Sequence, residues 1–427
     1  MIDLKRLRQD PDGSRVALLR RRDPSVGPLL DEILDLDRQR REHLVRVEAL
    51  KAERNAASEE VARRKRAREP ADDLMAQLKA SGEEVKALDA RLREIEAALD
   101  QRLLALPNFP AADTPDGDAA ANRVVRTWGE PPRFDFAPRP HWELGASLGI
   151  LDLPAGAKIA GSGFPVFRGL GARLVRALSG FMLDLHTREH GYEEVATPYL
   201  VNRATLTGTG QLPKFEEDLY AVPSDDLFLI PTAEVPVTNL HRDEILEAAD
   251  LPRGYCTWTP CFRREAGAHG KDTRGLIRVH QFDKVELVRF ARPEDSPAEH
   301  QRMTGHAEAV LRRLGIPYRV VELAAGDTGF ASARTFDLEV WAAGVGTWLE
   351  ASSSSTFTDF QARRANIRYR PEPKAKPEFV HTLNASGVAF PRTIIALLEN
   401  NQAADGSVRV PEALVPYLGT DRLVPRA

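Results

Sequence analysis

The chain has 427 residues, a formal net charge of −4, 42% hydrophobic residues and 29% charged residues. That length suggests two or three domains with room for a large core. The only cysteines are Cys256 and Cys261, and no CxxC pair occurs, which excludes a disulfide framework and leaves no zinc expected.

No run reaches the ~20 apolar residues of a membrane span, so no membrane association is expected. The N-terminal MIDLKRLRQDPDGSR lacks an apolar core and does not read as a secretory signal. A cytoplasmic protein with two inert thiols is expected. The net charge does not advertise a nucleic-acid partner, but its distribution does. Between Arg38 and Arg68, basic residues outnumber acidic ones, ending in Arg63, Arg64, Lys65 and Arg66.

From Leu29 to Leu106 the chain is almost free of Gly and Pro. Leu74, Leu78, Val85, Leu88, Leu92, Ile95, Leu99 and Leu106 step by threes and fours, with Ser81 and Arg102 filling the seam. That is a coiled-coil period. A looser seam of Leu29, Ile33, Leu36, Val47, Leu50, Ala57 and Val61 precedes it, interrupted by Arg40, His43 and Arg54. Pro70 disfavours helix at Glu69, and Asp72 or Asp73 suits a restarted first turn. Two antiparallel helices with a basic tip follow, each of some forty residues and roughly 60 Å. Such an arm fits a solvated spacer, a dimerisation element or a nucleic-acid grip.

A Pro-, Ala- and Asp-rich stretch then marks a boundary. The domains expected are 1–108, carrying the arm over about 29–106, a linker at 109–125, and 126–427. Beyond the linker, strand-like DLFLI, RVHQFDKVELV, TFDLEVWA and TWLEASSSS alternate with helical RLVRALSGFMLDLHTREH and RTIIALLENNQ. Several strands adjoin without an intervening helix. This predicts an α+β fold with a mainly antiparallel sheet flanked by helices. No GxxxxGK[ST] or strand-linked GxGxxG occurs, so any nucleotide is held by other means.

The segment Thr259–Val288 is densest in chemistry. One arm carries Arg263, Arg264 and Glu265, the other Arg278, Phe282 and Glu286, around a loop with Lys271 and Arg274. Arginine clamps a phosphate or carboxylate through two parallel hydrogen bonds. Phe282 offers a stacking face and Glu286 a partner for an ammonium group. A charged hairpin with surface ion pairs has the same composition.

Phe262-Arg263-Arg264-Glu265, a loop, then Arg278 to Phe282 resembles motif 2 of the class II aminoacyl-tRNA synthetases, in its seryl version. TAEVP (Thr232–Pro236), TGHAE (Thr304–Glu308), DLEVW (Asp337–Trp341), DFQARR (Asp359–Arg364) and HTLN (His381–Asn384) agree in order. The resemblance covers nearly the whole chain, arm included.

It implies a serine–tRNA ligase. Serine attacks the α-phosphorus of ATP, and the adenylate then acylates tRNA(Ser), with tRNA(Sec) as a further acceptor. By resemblance Arg263 bridges the serine carboxylate and α-phosphate, with Arg278 and Arg392 as the other catalytic arginines, on the γ-phosphate. Arg264, Glu265, the Val279 backbone and Phe282 surround the nucleotide. Glu350, Ala351, Ser352 and Ser353 line its phosphates, with Mg²⁺ on Glu350 and Ser353. Thr232, Ala233, Glu234, Glu286 and Ser386 form the serine pocket with Arg263. A carboxylate there that accepts the substrate hydroxyl rejects alanine. Arg63, Arg64, Lys65 and Arg66 would meet tRNA phosphates. The helix Gly171–His190 and GYEEVATPYLV would be motif 1, which builds a homodimer in the family and is otherwise an ordinary core helix and strand.

The chain departs from the family pattern at Arg264, Ala351, Ser354, Ala385 and Phe390-Pro391. Two other functions stay open: a serine-activating ligase serving a carrier protein or metabolite, and a non-enzymatic RNA-binding relative. Truncated relatives of the first kind lack the arm. Decay to the second should erase Arg263, Arg278, Glu350 or Arg392, and all are present.

Overall fold

In the computed structural model, which describes residues 1–266 and 274–426, the chain divides into two bodies. One holds Ile2–Leu19 and Asp23–Pro107; the other holds Asn108–Ala427 with Met1 and Arg20–Arg22.

The first body begins with short helices α1 (Leu4–Gln9) and α2 (Pro11–Leu19). Its bulk is the pair α3 (Val26–Ala67) and α4 (Asp72–Ala105). The antiparallel register is marked by cross-helix ion pairs: Arg46 on Glu84 at 2.9 Å, Lys51 on Asp89 at 3.2 Å and Arg102 on Glu32 at 2.5 Å. Arg68 ends α3 in the left-handed conformation (φ 58°), and the Glu69 amide donates to Arg64 O. Pro70 and the first-turn acids Asp72 and Asp73 restart the chain as α4.

Val85, Ile95 and Leu99 occupy the expected seam as buried residues. At the C-terminal end, Arg102 is exposed and Leu103 is buried instead. A straight helix of period 3.6 drifts off a 3.5-residue seam, and one position of slippage results. The α3 seam shifts likewise, burying Leu30 and Asp37 where Leu29 and Leu36 were expected.

The second body is built on an eight-stranded sheet. Its strands are β1 (Arg123–Trp128), β2 (Glu193–Glu194), β3 (Arg253–Phe262), β4 (Gln281–Ala291), β5 (Tyr318–Glu322), β6 (Arg334–Ala342), β7 (Thr347–Thr358) and β8 (His381–Ala389). They lie in the order β1-β5-β6-β7-β8-β4-β3-β2. All neighbours are antiparallel except β2 on β3. The chain is therefore α+β, with a mainly antiparallel sheet flanked by helices.

The principal helices of this body are α5 (His141–Ser147), α6 (Leu170–Arg188), α7 (Glu234–Thr238), α8 (Ser296–Arg313), α9 (Phe360–Ala365) and α10 (Phe390–Asn400). Leu178 and Met182 of α6, Leu311 of α8 and Ile394 of α10 share one core with Val285 and Leu338 of the sheet. Each such side chain contributes about 1.5–3 kcal/mol by leaving water. Strand alternation divides the sheet into a core face and an open face. On β4, Val285 and Leu287 are fully buried in the core, while Phe282, Lys284 and Glu286 turn to the other side, which is a cleft.

Candidate active site

The cleft has a volume of about 620 Å³, within the range of small-molecule sites. Two β-bulges aim its side chains. Where β7 meets β6, Ser352 faces Leu338 but Glu350 faces Glu339, which leaves Ala351 extra. The extra residue brings Glu350 to the same side as Ser353. Where β8 meets β4, Val285 faces Val388 but Glu286 faces Ser386, which leaves Gly387 extra. A Cβ on Gly387 would lie 2.9 Å from His186 Nε2 and 3.1 Å from Val285, so glycine is required for this approach. The bulge sets Ser386 directly across from Glu286.

One end of the cleft is acidic and enclosed. Glu286 is 1% exposed, forms an ion pair with the buried Lys284, and accepts from Thr232 Oγ1 at 3.2 Å through Oε2. Lys284 Nζ also donates to Thr232 Oγ1 at 2.9 Å. Glu286 Oε1 is buried with no hydrogen-bond partner. Burial raises the Glu286 carboxyl against the opposing pull of Lys284. Beside it, burial and then the Glu286 charge push Glu234 up to about 7. Glu234 Oε1 accepts from Gln361 Nε2 at 2.5 Å.

The other end is lined by arginine. Arg263 donates from Nε to Pro231 O at 3.2 Å, and its guanidinium lies 5.2 Å from the Phe282 ring centroid. Its two terminal nitrogens form no hydrogen bond with the described residues. Arg278 pairs with Glu265, which holds the left-handed backbone conformation (φ 52°). Arg392 donates to Glu350 O at 2.7 Å and to Ile277 O at 3.2 Å, and lies 3.4 Å from Glu350 Oε2. Pro391 occupies the first turn of α10, where its missing N–H costs nothing, so this departure from the family pattern suits the helix start. Three guanidiniums, from the residue just past β3, the approach to β4 and α10, thus face one cavity with an enclosed carboxylate pair. The arrangement suits a small zwitterion at the acidic end and a polyanion at the basic end.

Residues 215–401 match the family described as tRNA synthetase class II core domain (G, H, P, S and T). Residues 1–110 match the family described as Seryl-tRNA synthetase N-terminal domain. A serine–tRNA ligase of Gemmatimonas aurantiaca is 59% identical over 98% of this chain and 99% of its own length. The chain belongs to the seryl-tRNA synthetase family. A serine–tRNA ligase of Carboxydothermus hydrogenoformans is 53% identical, with 99% of each chain covered. The crystal structure of seryl-tRNA synthetase from Pyrococcus horikoshii complexed with ATP superposes with a TM-score of 0.96 at 37% identity, covering 100% of both chains.

Of the residues expected in this synthetase's site, Thr232, Glu234, Arg263, Glu265, Arg278 and Val279 line the cleft. So do Phe282, Glu286, Glu350, Ala351, Ser353, Ser386 and Arg392. Three others do not. Ser352 alternates away from Ser353, and its hydroxyl donates to Ser386 O at 2.6 Å. Ala233 is fully buried. Arg264 points outward, and its backbone amide donates to Asp218 O at 3.0 Å. Arg63, Arg64, Lys65 and Arg66 sit in the last turns of α3, where Arg63 and Arg64 share Glu60. Lys271 lies outside the described residues.

Sequence reasoning missed Lys284, Asn384 and Gln361. Lys284 was within reach, because Phe282, Lys284 and Glu286 are spaced by two on one strand and must share a face. Asn384 stands in the same relation to Ser386.

Proposed function

We propose that this serine–tRNA ligase carries out both of its half-reactions in the 620 Å³ cleft, with L-serine at the acidic end and ATP along the arginines. The observation that carries the reading is Glu286 Oε1, a buried carboxylate oxygen without a partner in a cavity just large enough for an amino acid and a nucleotide. An ammonium group satisfies it, and an empty pocket leaves its desolvation uncompensated. Glu234 Oε2 and Ser386 then meet the serine hydroxyl, and the free nitrogens of Arg263 meet the carboxylate.

In the first step a serine carboxylate oxygen bonds to the α-phosphorus as the α–β bridging bond breaks, and pyrophosphate departs. Arg263 stabilises charge on the pentacoordinate phosphorus, while Arg278 and Arg392 take the charge of the leaving group. Phe282 supplies the face on which adenine stacks. In the second step the terminal ribose hydroxyl of tRNA attacks the adenylate carbonyl, an ester forms and AMP leaves. Positioning supplies most of the acceleration.

Glu350 and Ser353 would hold Mg²⁺. The site fits a hard cation: burial and then the Glu350 charge hold the Asp337 carboxyl well above the usual range, and Asp337 Oδ1 has no partner. No cage of three or more His, Cys, Asp or Glu side chains occurs among the described residues, so substrate phosphates and water would complete the coordination. When bound, the ion neutralises phosphate charge.

Arg63, Arg64, Lys65 and Arg66 would grip the backbone of tRNA(Ser), and the same chemistry extends to tRNA(Sec). A homodimer is proposed through the motif 1 segment, which leaves Tyr199 and Leu200 exposed at 44% and 43%. The cytoplasm, where tRNA is charged, is the proposed location.

Serine-dependent ATP–pyrophosphate exchange followed by charging of total tRNA tests the reading. Both should proceed with serine. Exchange without charging would turn the assignment toward a carrier-protein or metabolite acceptor, and neither activity would leave an RNA-binding protein.

A further inference from the structure

Behind the serine end of the cleft lies a buried side-chain relay that ends on Glu234 and to which the mechanism above gives no role. Gln361, on the first turn of α9, is fully buried. Its Nε2 donates to Glu234 Oε1 at 2.5 Å and to Thr209 O at 3.2 Å. Its Oε1 accepts from Thr382 Oγ1 at 2.7 Å. These partners fix the amide orientation by chemistry alone. A carboxylate and a carbonyl only accept, so the NH₂ must face them, and the Thr382 hydroxyl must donate to the remaining oxygen.

We propose that Gln361, pinned by Thr382, is the positioning residue that makes the site select serine over alanine, by presenting Glu234 as an oriented carboxylate whose free oxygen demands a hydroxyl. The proposal rests on the reading that Glu234 receives the serine hydroxyl. Glu234 is 7% exposed and carries no hydrogen bond on Oε2 from the described residues. Its charged surroundings are Glu286, which disfavours ionisation, and Lys284 and Arg263, which favour it. Gln361 adds the neutral hydrogen bond that favours the ionised form. An ionised acceptor left unpaired by alanine is costly, whereas a protonated or rotated Glu234 meets alanine and serine more evenly. Gln361 thus acts on the substrate's hydroxyl through Glu234, and on neither ATP nor the ammonium group.

The experiment measures kcat/KM for serine and for alanine in ATP–pyrophosphate exchange, and the pH profile of the serine value. In Gln361→Met the serine-to-alanine ratio should fall at least about tenfold, the worth of a hydrogen bond to a charged group. The alkaline-favoured limb of the serine profile should move to higher pH. Proportional loss on both amino acids with an unmoved profile overturns the proposal, because a merely structural role would produce it. Should Gln361→Met fail to fold, Thr382→Val reads the same quantities. A lowered ratio that Thr382→Ser restores supports the relay, and an unchanged ratio overturns it. Glu234→Gln separates the two levels. If it leaves the ratio intact, the reading of Glu234 falls and the proposal with it. If it collapses the ratio while Gln361→Met and Thr382→Val do not, the reading stands and the relay is refuted.

Discussion

His141 and Glu399 form a fully buried pair, with Nδ1 and Oε1 2.7 Å apart, at the root of the loop between β3 and β4. Glu399 also accepts from the backbone amides of His141, Gly344 and Val345. The Leu276 amide donates to His141 Nε2 at 2.9 Å. Because Nε2 accepts, the ring proton must sit on Nδ1 and point at the carboxylate. Gly275, at φ 69°, passes so near that a Cβ would lie 2.2 Å from Nε2. The pair therefore ties α10, which carries Arg392, to the chain that delivers Arg278. His141→Leu should raise the ATP KM about tenfold through misplacement of that chain, with the serine KM unchanged. Glu399→Ala strands the His141 Nδ1–H and three backbone N–H groups and should cost about 3–5 kcal/mol, read as a lowered Tm.

Arg392 and Glu350 hold each other across the phosphate end, with Nη1 3.4 Å from Oε2 and 2.7 Å from the backbone oxygen. The pair is half exposed, and neither group depends on the other for burial. Arg392→Ala should therefore leave the Tm nearly unchanged. Serine-dependent exchange should drop about 10²–10³-fold, the usual cost of one charge-stabilising group. Glu350→Gln should instead raise the magnesium concentration needed for half-maximal exchange. If added magnesium fails to recover any activity in Glu350→Gln, the carboxylate does not hold the ion.

These features leave unequal marks on the sequence. Arg263, Arg278 and Arg392 stand at motif spacings, and the sheet around them follows from runs of alternating residues. The bulges at Ala351 and Gly387 leave no such mark, because the extra residue shows only in the partner strand's register. Strict alternation places Ser352 and Glu350 together, whereas the bulge sends Ser352 to Ser386 O. The relay of Gln361 to Glu234 joins positions 127 apart, and only the packing of α9 against β8 brings them together. On the arm, the heptad count predicts the helix pair, and its drift moves burial from Arg102 to Leu103.

Glu234 couples function to stability through pH. Burial first, and the Glu286 charge second, raise its carboxyl from 4.5 to about 7 in the folded chain. The folded state therefore holds this proton more tightly than the unfolded state. Its contribution to stability is fully present below pH 4.5 and is lost as pH rises through 7. Glu234→Gln removes the ionisation, so it should be more stable than the parent at pH 8 by about 3 kcal/mol, at ~1.4 kcal/mol per pKa unit. The difference should vanish near pH 4.5. Thermal unfolding of both proteins across that range checks it. A constant offset at every pH would mean that the carboxyl titrates normally. Serine selectivity should be lost in the same variant, so one carboxyl would both weaken the fold at neutral pH and serve the proposed serine site.

The proposed tRNA grip at the tip of α3 predicts that tRNA charging and amino-acid activation can be separated. Arg63, Lys65 and Arg66 are exposed there, and Arg64 is half-buried against Glu60 and Asp73. Exposed ion pairs of this kind contribute little to stability. Changing Arg63, Arg64, Lys65 and Arg66 together to Glu should leave helicity and ATP–pyrophosphate exchange intact. Charging should weaken through a higher tRNA KM, and the salt dependence of tRNA binding should become shallower as phosphate contacts are lost. Backbone contacts read no sequence, so the loss should be similar across serine-accepting tRNAs that share a long variable arm. Equal loss of exchange and charging would show that these residues act on the catalytic body, and a salt slope unchanged from the parent would show that they do not meet phosphates at all.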